Sequence, residues 1–168
     1  MGSTSRTWLA ALAPLVSAAL LVAHAAALTI GTAPITFPGI TLTGTDQTVN
    51  GSTSAWRADA TAEAGGWNVT VASTHFDNGG GEIIAVANFE IRLLDANIAV
   101  VSGDTNKPSS TQTTFASLSG AAIKIVTAAV GTGNGVYDLT PDFRLTVPAE
   151  TYSGGYTATV TVAISAGP

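Results

Sequence analysis

The chain has 168 residues, no cysteine, six Lys or Arg and eleven Asp or Glu. That length fits one domain, and the absence of cysteine rules out disulfides, thiolate metal sites, Cys nucleophiles and a lipoprotein anchor. The acidic balance argues against nucleic acid, because six basic residues do not supply a phosphate-binding surface.

The chain opens with a short polar stretch carrying one basic residue, Arg6, and continues with an apolar run from Trp8 to Ala23. A small-residue cluster, His24-Ala25-Ala26-Ala27, follows. This order describes a secretory signal peptide over residues 1–27, cleaved after Ala25 or Ala27. A transmembrane anchor is the competing reading. A spanning helix needs about 20 apolar residues, whereas this run is shorter, broken by Pro14 and without a basic stop-transfer flank. Removal of the signal leaves five basic and eleven acidic residues, a formal charge of −6. No second apolar run is long enough to span a bilayer. The expectation is an exported, extracellular protein with no covalent or membrane anchor, held at a surface only by binding.

From Leu28 onward the apolar pattern has period 2. Residues 28–168 are therefore expected to form a single all-β domain, an antiparallel β-sandwich. Ile35 to Thr43 is a candidate early strand, interrupted by Pro38, which favours an edge or a bulge. Trp67, Val69 and Val71 share one face of the next strand. Phe89 to Leu93 alternates in the same way. Ala116 to Ala129 is read as loop then strand, because Ser119-Gly120 breaks the run and Ile123, Ile125 and Val126 favour a sheet. Phe143 to Val147 alternates again. In the last segment Tyr156, Ala158, Val160, Val162 and Ile164 take one face, with Thr157, Thr159, Thr161 and Ser165 on the other. Turns are expected at Asn50-Gly51, Asp77 to Gly81, Asn134-Gly135 and Ser153 to Gly155, with a polar loop from Asp104 to Thr114.

Motifs for chemistry are scarce. His75 is the only His after residue 27, and His75 to Glu82 is read as a strand end and hairpin turn. No second His and no Cys completes a transition-metal site. Calcium on Asp77 and Glu82 is less excluded, but EF-hand spacing is absent. Gly131 to Gly135 lacks the glycine spacing and the Lys of a phosphate loop and is read as a turn. No nucleophile elbow occurs, and no cofactor is implied. Asn50-Gly-Ser52 and Asn68-Val-Thr70 match the glycosylation sequon, which matters only in a eukaryotic source.

Two segments carry a family resemblance. The first is Gly65-Gly66-Trp67-Asn68-Val69. The second is Tyr156, three residues, Val160-Thr161-Val162-Ala163-Ile164, three residues and Pro168. Together they resemble the WxL domain of bacterial cell-surface proteins. That family carries a Gly-Trp-x-Leu-type motif, then closes on Tyr, three residues, Leu-Thr-Trp-x-Leu, three residues and Pro. Val69 stands for the first Leu, a conservative change. Val162 stands for the second Trp, which is not conservative. The resemblance implies a secreted, non-enzymatic domain that attaches to the bacterial cell wall, to peptidoglycan, often beside other surface proteins. Trp67, Val69, Tyr156, Val160, Thr161, Val162, Ile164 and Pro168 are its motif positions. Strand phase puts both motif Trp positions on inward faces, so Trp67 is expected as a core anchor rather than a ligand platform.

Two further classes stay open. A structural subunit of a surface fibre would pair through exposed sheet edges. An exported hydrolase would need paired carboxylates, which spacing alone does not exclude.

Overall fold

The computed structural model describes residues 28–168, so the export-signal reading of residues 1–27 lies outside the described residues. The described chain is an antiparallel β-sandwich, as its period-2 pattern predicts. Its first half holds β1 (Thr29–Gly31), β2 (Gln47–Gly51), β3 (Trp56–Asp59), β4 (Trp67–Ser73), β5 (Phe76–Asp77), β6 (Ile83–Ile84) and β7 (Phe89–Arg92). Its second half holds β8 (Ile98–Gly103), β9 (Ser109–Ser110), β10 (Ala116–Ser117), β11 (Ile123–Ala128), β12 (Gly135–Leu139), β13 (Asp142–Val147) and β14 (Val160–Ala166). Three four-stranded sheets result, ordered β1-β3-β12-β8, β10-β7-β13-β2 and β14-β4-β11-β9, with β5-β6 as a separate hairpin.

Alternation decides which faces meet. Trp67, Val69 and Val71 on β4, Phe89 and Ile91 on β7, and Phe143, Leu145 and Val147 on β13 are all buried. Their odd-phase neighbours stay partly exposed. The first sheet turns its inner face to both of the others. Trp56 on β3 meets Phe143 on β13 with ring centroids 5.8 Å apart, and Tyr137 on β12 meets Trp67 on β4 at 6.0 Å. Phe37, Phe76, Phe89 and Phe143 extend the first of these contacts into a continuous aromatic cluster. Each such ring pair contributes about 0.5–1.5 kcal/mol beyond the area it buries. On the outer face of β7 and β13, Arg92 pairs with Asp142 and Arg144 with Glu90, residues directly opposite in the ladder. Both guanidiniums also lie against the Phe115 ring, so the register is marked on the wet face as well.

The structure departs from the sequence expectations in several places. Ile35 to Thr43 is not a strand; only Thr36 pairs, through a single bridge to Ser52. Pro38 removes a ladder donor, and the segment instead packs Ile35, Phe37 and Ile40 against the core. Asn50-Gly51 is not a turn but the end of β2, opposite Phe143 and Arg144. A glycine stands there because the Phe37 ring lies over it: a Cβ at Gly51 would come within 2.7 Å of that ring. The Asp104 to Thr114 loop contains the short strand β9. Finally, β14 begins at Val160 rather than Tyr156. Ahead of it, Thr157 bridges Asp77, and the Thr159 carbonyl accepts from the Thr74 N–H. On β11 a bulge between Lys124 and Val126 turns Ile125 and Val126 inward together, breaking strict alternation.

Candidate functional site

The two resemblance segments lie side by side. β14 pairs with β4 along its whole length, so Val160 faces Ser73, Val162 faces Val71, Ile164 faces Val69 and Ala166 faces Trp67. The chain's last residues are fastened to the start of β4. The Gly167 N–H donates to the Gly66 carbonyl at 2.8 Å, and the Asn68 side chain donates to the Gly167 carbonyl at 2.7 Å. Asn68 was visible in the sequence only as a sequon, yet its amide closes this end of the sheet.

The motif positions then separate by environment. Trp67 and Val69 are fully buried. The Trp67 indole N–H donates to the Gly133 carbonyl at 2.8 Å, so even its polar atom faces inward. Thr161 and Pro168 are exposed, while Tyr156, Val160, Val162 and Ile164 are half-buried. The half-burial has a structural cause. β14 is the edge strand of its sheet, and the facing segment at residues 32–37 does not close down on it. The gap is a cleft of about 560 Å³. Tyr156, Val160 and Val162 line one side of it, Ile35, Phe37 and Trp56 another.

A second groove of about 590 Å³ adjoins the first, between the arm at residues 37–42 and the loop at 151–156. Phe37, Phe76 and Tyr156 belong to both linings. The Tyr156 hydroxyl donates to the Tyr152 carbonyl at 3.1 Å, which fixes the loop against the divide between the two. Among the described residues no Asp, Glu, His, Lys or Arg lines either space. The polar residues of the linings include Thr32 and Thr157 in the cleft and Thr41, Thr151 and Ser153 in the groove.

Elsewhere the polar groups serve the fold. His75 accepts the Val86 N–H on Nδ1 at 3.0 Å. The Asp77 carboxylate accepts the Gly79 N–H at 2.6 Å, and Asn78 Oδ1 accepts from Gly80 and Glu82, which builds the β5-β6 turn. Among the described residues no group of three or more His, Asp or Glu is placed to hold a metal ion. Gly131 and Gly133 take positive φ in the segment ahead of β12, which starts at Gly135, so the chain turns before the expected Asn134-Gly135, and Gly133 presents the carbonyl that anchors Trp67. Trp56 went unread in the sequence, because Trp56-Arg-Ala-Asp59 is too short for its period to stand out. It is 1% exposed, and its indole N–H has no acceptor.

No family model matches the chain, and no curated protein matches it. Among solved structures it is similar to a family 123 glycoside hydrolase from Clostridium perfringens, at 15% identity and a TM-score of 0.39. That likeness covers 73% of this chain and 19% of that one, and it bears on no question of function.

Proposed function

We propose that the protein is a secreted, non-enzymatic surface module that attaches non-covalently to the bacterial cell wall, at peptidoglycan. One observation carries this reading: the segment resembling the WxL closing motif lays Tyr156, Val160 and Val162 along a solvent-open, uncharged cleft. A concave space that presents polar and apolar surface side by side suits a ligand with both kinds of surface. Among the described residues its lining holds no Asp, Glu or His, the acids and bases that hydrolysis most often uses. The test is sedimentation of the purified protein with purified walls, before and after stripping teichoic acids. Retention on stripped walls is expected, and failure to sediment with either overturns the proposal. Release of sugars or peptides from those walls overturns its non-enzymatic part.

A second reading, a structural subunit of a surface fibre, draws on β8. It is an edge strand, and Ala99, Val100 and Val101 are exposed on it without a charge among them. A bulge opposite Val136 and Tyr137 and the Lys107 ammonium on the Ile98 carbonyl both interrupt that edge, which makes this the weaker reading. Detergent-resistant multimers of the purified protein are its signature.

A further inference from the structure

We propose that the cleft over β14 and the groove beside Tyr152 form one track for an uncharged oligosaccharide; the inference rests on the wall-attachment reading and specifies its ligand. Charge selects the class. Residues 28–168 carry eleven acidic and five basic side chains, yet none of the sixteen reaches either lining. An ionic ligand would find no counter-charge in either lining to offset the hydration it gives up, which favours a neutral occupant.

Shape and chemistry then favour sugar. Each space falls within the range of small-ligand sites, about 300–1,000 Å³, and the two adjoin through Phe37, Phe76 and Tyr156. Two such spaces in series fit a chain of rings better than one. A pyranose has an apolar C–H face and a rim of hydroxyls. The track offers the complement: aliphatic and aromatic surface from Val160, Val162 and Tyr156, with Thr32 and Ser153 among its polar residues. Tyr152 stands in the groove wall with 64% of its surface exposed, a flat ring with a polar tip and no packing duty to explain it. An extended peptide, which would add to the open edge of β14, is the alternative occupant that the experiment separates from a saccharide.

Titration calorimetry of the purified protein with the N-acetylglucosamine hexamer and with cellohexaose tests this, beside an uncharged Gly/Ala/Ser hexapeptide. At least one hexasaccharide should bind, and the peptide should not. Tyr152→Ala should weaken saccharide binding about three- to tenfold at an unchanged melting temperature. Val162→Trp fills the cleft floor and should abolish binding while melting stays level or rises. Should that variant fail to fold, Tyr152→Ala decides alone. Saccharide binding that Tyr152→Ala leaves intact overturns the track, as does peptide binding in place of saccharide. No saccharide binding by a protein that still sediments with walls also overturns it and leaves wall attachment standing. Saccharide binding without wall sedimentation upholds the track and overturns wall attachment instead.

Discussion

The Trp67 indole donates to the carbonyl of Gly133, a residue at φ +68° whose missing Cβ is what lets the ring approach. A Cβ there would stand 2.7 Å from that of Ala128 and 3.2 Å from Trp67 Nε1. Trp56 is buried just as deeply but leaves its N–H without an acceptor. The two residues should therefore respond differently to the same change. Trp67→Phe removes a buried hydrogen bond and strands a carbonyl, in addition to the lost volume. Trp56→Phe removes a donor that was already unsatisfied. We expect Trp67→Phe to be more destabilising by about 1–3 kcal/mol, measured by denaturant unfolding. Trp67→Ala should cost about 3–5 kcal/mol, enough to bring the domain near its unfolding threshold. Equal losses for the two Phe variants would show that the Gly133 bond contributes nothing.

The same residues show where sequence reasoning reaches and where it stops. Alternation over four or more residues places Trp67, Val69, Phe89, Phe143 and Leu145 inward without any structure, because the face of a strand follows from period alone. Trp56 and Tyr137 sit on strands whose other inward positions are Ala58, Gly135 and Leu139, so their pattern is thin. Gly51 misleads for a different reason. Asn-Gly is a strong turn signal, but here the glycine answers to the Phe37 ring, a partner 14 positions away that periodicity does not reveal. The cleft was likewise hidden. Strand phase put Val160 and Val162 on an inward face and did not show that the facing segment stops short of them.

Gly51 supplies the second prediction. Gly51→Ala places a methyl against the Phe37 ring and 3.2 Å from the Phe143 Cβ. Phe37 is the half-buried, movable side of that contact, so the cost should lie at the low end of overpacking, about 1 kcal/mol. Phe37→Leu should relieve part of it, and a double-mutant cycle should give a coupling of at least about 0.5 kcal/mol. Strictly additive effects would mean that the ring does not hold position 51 to glycine.

Stability should fall at both ends of the pH scale, for separate reasons. The Thr61 hydroxyl and backbone N–H hold the Asp59 carboxyl below its usual range. The Arg57 guanidinium does the same for Asp138 through two bonds of 2.9 Å. An unfolded Asp titrates near about pH 3.9, so above that pH both contributions are present in full. They are lost as pH falls through the lower folded values. Tyr137 works in the opposite sense. Burial, and then the Asp104 charge, raise its phenol above the ordinary value, and its hydroxyl donates to the Asp104 carbonyl at 2.8 Å. Its contribution is complete below about pH 10 and lost as pH climbs through the folded value. Melting curves across pH should show Asp138→Asn flattening the acid limb and Tyr137→Phe the alkaline one. An acid limb that survives both Asp59→Asn and Asp138→Asn would place its origin elsewhere. Arg57 is 59% exposed, so the Asp138 share should be modest and should shrink in high salt.

Salt also separates the ways of holding a wall. Five basic and eleven acidic side chains leave residues 28–168 at a formal −6, and anionic wall polymers should repel that surface. The cleft and the groove are lined only by uncharged residues, so contacts made there have no ionic part to screen. At about 0.15 M salt the screening length is about 8 Å, which weakens the long-range repulsion and leaves short contacts untouched. Sedimentation with intact walls should therefore be unchanged or stronger as salt is raised. With walls stripped of teichoic acids the repulsive partner is gone, and the salt dependence should flatten. A steep loss of binding from low to high salt would mean that ion pairs outside the two spaces hold the protein to the wall, and the uncharged cleft would lose its role.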